Sequence, residues 1–122
     1  MTRTASTGEV AVELAPHPRS GQIAREAVDA LADTLHPETM AKLRLLVTEL
    51  VVAALGPAET HSLVLTVRVE GDAVRAAIAR AEEGARLERP HSWNLFLVTR
   101  IADRWDADAR GLWFEVAARQ RP

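Results

Sequence analysis

Leu43, Leu46, Val47, Leu50, Val51 and Ala54 recur at the spacing of a single apolar stripe on an α-helix. A stripe this long commits the chain to a layered fold, because it must be buried against a second layer. Glu49 and Ala53 lie four residues apart on the flank of the stripe, one above the other. A carboxylate there has two readings: a half-solvated flank residue, or an acid looking from the layer edge into a pocket.

The rest of the chain supplies that second layer. Residues 1–8 read as a flexible, polar start. Glu9–Leu14 alternates with period two and reads as an edge strand, stopped by Pro16 and Pro18. Ser20 is placed to cap a first helix with apolar positions Ile23, Ala27, Leu31 and Leu35, broadened by Ala24, Val28 and Ala30. Pro37 opens the second helix, Glu38 sits in its first turn, and Gly56-Pro57 ends it. Residues 63–69 and 74–79 flank Gly71-Asp72 as a β-hairpin. Residues 81–91 read as a loop. Ser92 opens a third helix carrying Leu95, Leu97, Val98, Ile101 and Ala102, followed by the polar break Asp106-Ala107-Asp108 and a last strand over 112–116. The expectation is an α+β fold: a two-layer α/β sandwich, with a mixed, largely antiparallel sheet and three helices on one face. A single domain spans 9–118, with a tail over 119–122.

Composition narrows the function. A chain of 122 residues, 48% hydrophobic and 26% charged, holds one globular domain. A formal charge of -2 and a pI near 6.1 give no global positive field, so neither nucleic acid nor an anionic membrane is an expected partner. The absence of cysteine excludes disulfides and thiolate chemistry and points to the cytoplasm. No apolar run approaches the roughly 20 residues of a membrane span. His17, His36, His61 and His91 lack zinc-site spacing, and each stands beside an element boundary, where capping or solvated roles are expected. Charges of both signs over 80–89 read as a solvated surface. Trp105 and Trp113, with Phe114, are expected to pack the third helix on the last strand, the other option being a partner-facing surface.

This element order, with Glu49-Leu50-Val51 on the second helix and Ile101-Ala102-Asp103-Arg104-Trp105 before a final Trp-Phe-Glu strand, resembles the histidine-kinase-like (GHKL, or Bergerat) ATPase fold. Within it, the chain is most similar to the small anti-sigma-factor serine kinases and related stand-alone regulators of actinobacterial type. The resemblance runs from about Val10 to Val116 in order and spacing.

Its ATP-binding motifs are degenerate. The family motif Glu-Leu-Val-x-Asn-Ala supplies a Glu that polarises a water or hydroxyl and an Asn that holds magnesium. Here Glu49 keeps the acid, a vestigial general base, while Ala53 stands at the Asn position and a methyl cannot ligate magnesium. The motif Asp-x-Gly-x-Gly after the third strand receives the adenine amino group. In register, Arg80 takes the Asp position and Glu82 the first Gly, with Gly84 kept, and a guanidinium cannot accept that hydrogen bond. A two-residue slip offers Glu82 as acceptor but leaves Arg86 at the second Gly. The lid motif Gly-x-Gly-Leu corresponds to Ser92-Trp93-Asn94-Leu95, where both glycines are replaced. Ser92 reads as an ordinary N-cap, Asn94 can take a left-handed conformation, and Trp93 either fills the vacated pocket or stands partly exposed on the first helical turn. Arg80 is expected to face Glu49 and neutralise it.

The resemblance therefore implies a pseudo-kinase with no catalytic residues, no metal site and neither ATP nor magnesium as cofactor. Its expected role is regulation of transcription by protein binding in a partner-switching pathway. The partner would be a sigma factor or a STAS-type anti-sigma antagonist, with a homodimer also possible. The alternatives are an active ATP-binding serine kinase, kept open by Glu49 and the Glu82 slip, and a dimerisation or scaffold module, for which an apolar patch on the uncovered sheet face would argue.

Overall fold

The computed structural model describes residues 3–6, 8–55, 61–82, 84–86, 95–108 and 110–118. Among them the chain forms β1 (Arg3–Ser6), β2 (Glu9–Leu14), α1 (Ser20–Val28) with a 3-10 turn (Asp29–Leu31), α2 (Pro37–Leu55), β3 (Leu63–Glu70), β4 (Ala73–Arg80), α3 (Phe96–Ile101), β5 (Arg104–Ala107) and β6 (Leu112–Ala117). The strands make one sheet in the order β1-β2-β3-β4-β6-β5, and every pairing is antiparallel. The α+β sandwich holds, with its sheet at the limit of the largely antiparallel arrangement expected.

Alternation decides which face of the sheet is core. Val10, Val12, Leu14, Leu63, Leu65, Val67, Val74, Ala76, Ile78, Leu112, Phe114 and Val116 are all buried, and they take every second position of their strands. Leu43, Leu46, Val47, Leu50 and Val51 of α2 bury the stripe against them, with Ala24, Ala27 and Val28 of α1 and Val98 of α3 completing the layer. Phe114 is the bulkiest fully buried side chain, and Phe114→Ala would cost about 3–5 kcal/mol.

Helix boundaries follow local chemistry. The N–H of Arg19 donates to His17 Nδ1 at 3.0 Å, and that of Glu38 to His36 Nδ1 at 3.2 Å, so both His-Pro pairs close a turn at a helix start. Ser20 does not cap α1: it is the first helical residue, buried, and its hydroxyl donates to the Ala15 carbonyl at 2.6 Å. The helix also ends earlier than its periodicity suggests, at Val28, because the stripe through Leu31 and Leu35 is completed by the 3-10 turn and the segment after it.

Four further expectations are corrected. Residues 3–6, expected in a flexible start, pair with β2, so β2 is an interior strand. Asp106 and Ala107 of the expected break belong instead to β5, whose four residues pair with β6 and are too few to display a period. The Asp108 carboxylate instead turns the chain after β5 by accepting the N–H groups of Arg110 and Gly111. Trp113 is not core: its register places it opposite Ala77 on the sheet face away from the helices, with the Arg75 guanidinium 4.0 Å from its ring. The end of α2 at Gly56-Pro57 lies outside the described residues.

Two glycines are required by geometry. Gly71 opens the β3-β4 turn with φ +60 and Asp72 does not share that sign, the pattern of a type II′ turn. A Cβ on Gly111 would sit 2.1 Å from the Ile78 carbonyl oxygen, so only glycine lets β6 begin against β4.

Candidate functional site

The face of α2 turned away from the sheet carries the site. Leu45, Thr48, Glu49 and Val52 lie there, with Arg44 beside them, and together with Arg25 of α1 and Leu97 of α3 they line a groove of about 570 Å³. Thr48 donates back to the Arg44 carbonyl at 2.8 Å, which fixes its hydroxyl, and Gly21 of α1 lets the two helices approach at this point. Arg44 is tied to Asp29 at 2.7 Å.

Glu49 is the organising residue. Its Oε1 accepts the N–H of Leu97 at 2.8 Å and its Oε2 accepts the N–H of Val98 at 2.6 Å. Those are the second and third residues of α3, whose own N-cap, Leu95, has no side chain able to bond them. A carboxylate on a neighbouring helix thus does the work of an N-cap, and both its oxygens are engaged.

Arg80 does not face Glu49. No hydrogen bond or ion pair joins them; Arg80 instead lies 3.0 Å from His61 Nδ1, donates to the Arg86 carbonyl at 3.3 Å and meets Glu82 at 3.4 Å. The reason is register: Arg80 is paired with Leu63, so its side chain leaves the end of β4 beside the residues that precede β3. Its Nε is buried without a partner among the described residues.

The expected nucleotide pocket therefore divides. Arg80 and Glu82 are together, Glu49 stands with α3, and Ala53 is 6% exposed beneath it. Gly84 has φ +76, a left-handed turn suited to glycine. Ser92, Trp93 and Asn94 lie outside the described residues, and α3 is described only from its cap at Leu95. A methyl stands at the position where the resemblance places the magnesium ligand.

Sequence reasoning missed His61 as the Arg80 partner, the α3 amides as the Glu49 partner, and the apolar residues of the groove. Leu45 and Val52 stand two turns apart on the polar side of α2, and that spacing is a signal the dominant stripe conceals.

The open sheet face presents a different surface. Glu9, Arg68, Arg75, Glu115 and Arg104 lie opposite one another across five strands as a single row. Arg68 pairs with Glu9 at 3.3 Å, while Glu115 holds Arg75 at 2.9 Å and Arg104 at 3.4 Å. This face is not the apolar patch a scaffold module would show. The exposed large apolar residues among those described are Leu45, Val52 and Phe96, at 46%, 61% and 52%. No described helix is long and apolar enough to cross a membrane.

Compared with known proteins, the sequence matches no family and no curated relative.

Proposed function

We propose that this chain is a non-catalytic cytoplasmic regulator that acts by binding another protein, a pseudo-kinase form of the histidine-kinase-like ATPase fold. The observation that supports this reading is the pair of hydrogen bonds that the Leu97 and Val98 amides donate to Glu49. These two contacts commit the acid of the expected catalytic motif to holding the first turn of α3, and the expected magnesium ligand beside it is Ala53. The partner class follows from the family resemblance: a sigma factor, or a STAS-type antagonist of an anti-sigma factor. In this role the fold presents a surface and performs no chemistry.

Two measurements test the proposal. Calorimetric titration with ATP and magnesium should give no heat; micromolar binding would return the protein to the kinases. Sigma factors and STAS-domain proteins from the same genome, immobilised one by one, should include at least one that binds the purified chain. Binding by none of them would remove the regulatory reading.

A further inference from the structure

We infer that the groove between α1, α2 and α3 receives an acidic amphipathic helix of the partner protein. The inference rests on the protein-binding reading above and assigns it a surface and a ligand chemistry.

The floor of the groove is apolar and open. Leu45 and Val52 are exposed although large, and Leu97 lines the same groove from α3. Phe96 stands exposed beside Leu97 in sequence. Leu45 and Val52 are two helical turns apart, roughly 10 Å along the α2 axis. That strip matches the i, i+3/i+4, i+7 anchors of an incoming helix.

Backbone chemistry selects a helix over an extended segment. The groove walls are helices, and α3, the one whose first amides face the groove, has two of them taken by Glu49. A strand laid here would find no ladder of free donors and acceptors, whereas a helix satisfies its own backbone.

Charge selects the sign. Of the charged side chains lining the groove, Glu49 has both oxygens engaged by amides, and the others are Arg25 and Arg44. Arg25 has no ion-pair partner among the described residues; Arg44 commits its Nε to Asp29 and keeps its remaining donors. An apolar strip rimmed by cations complements a helix with one apolar face and acidic flanks.

The test uses the partner found among the immobilised sigma factors and STAS-domain proteins. Leu45→Asp and Val52→Asp replace exposed residues, so the variants should keep the parent unfolding midpoint, and each should weaken binding roughly 30-fold. Arg25→Glu should weaken it as well and reduce its salt dependence. Arg68→Ala, on the open sheet face, should leave affinity unchanged. Hydrogen exchange on the partner should locate a protected segment with acidic flanks, and the corresponding peptide should gain helical circular dichroism when this protein is added. Wild-type affinity in both Asp variants, a bound peptide that stays extended, or a second copy of this chain occupying the groove would each overturn the inference while leaving the regulatory reading in place. Binding by none of the proteins would overturn that reading, and this inference with it.

Discussion

Glu49 Oε2 lies 2.6 Å from the Val98 amide nitrogen, a hydrogen bond that joins the middle of α2 to the first turn of α3 across 49 residues of chain. With the Leu97 bond to Oε1, it makes the orientation of α3 depend on one carboxylate.

Removing that carboxylate should loosen α3 before it unfolds the domain. Glu49→Ala leaves two N–H groups without their acceptor and should lower the free energy of unfolding by about 1–3 kcal/mol. Glu49→Gln keeps one acceptor oxygen and should lose less. Urea denaturation measures both, and amide exchange at Leu97 and Val98 should accelerate in the Ala variant; unchanged protection there would show that these bonds do not hold the helix.

Restoring the expected metal ligand should not restore nucleotide binding. Ala53→Asn places an amide at a buried position and should destabilise by about 1–3 kcal/mol if the amide finds no partner. Titration with magnesium and ATP should stay silent, since Arg80 still stands at the adenine-acceptor position and both lid glycines are still replaced; heat of binding in this single variant would mean that Ala53 alone had closed the pocket.

Arg80 and Glu49 should be energetically independent. In a double-mutant cycle, Arg80→Ala and Glu49→Ala should add to within about 0.5 kcal/mol. Arg80→Ala and His61→Ala should couple more strongly, because their side chains are 3.0 Å apart. Strong coupling in the first pair would restore the neutralised-pocket arrangement expected from register.

Glu115 separates two guanidinium groups on the open sheet face. Glu115→Gln leaves Arg75 and Arg104 unneutralised, with Arg68 directly opposite Arg75, and should destabilise by about 1 kcal/mol. Added salt should reduce that loss by screening the repulsion. A loss that salt leaves untouched would assign the effect to packing.

Gly111→Ala and Gly71→Ala should differ in kind. The first drives a Cβ into the Ile78 carbonyl and should cost toward the upper end of about 1–3 kcal/mol, with displacement of β6. The second meets no atom and should cost only the left-handed backbone penalty, about 1–2 kcal/mol. Equal unfolding midpoints would remove the close approach as the reason for Gly111.

What the sequence determined by itself is the local and periodic part. The stripe from Leu43 to Val51 buries as its spacing requires, Pro37 opens α2, and the Gly71-Asp72 hairpin forms, because period, proline geometry and turn chemistry act between near neighbours. The tertiary structure alone decided the strands β1 and β5, which are too short to show a pattern and exist through their pairing with β2 and β6. It alone decided that Arg80 meets His61, because the β3-β4 register sets the direction in which that side chain leaves the sheet. The same holds for Glu49: its position on the flank of α2 is legible, but its partners are backbone amides about fifty positions away, and a backbone donor carries no residue signature. The candidate site is therefore half written in the sequence, as an acid and an apolar pair on one helix. The other half comes from where packing sets the neighbouring helices.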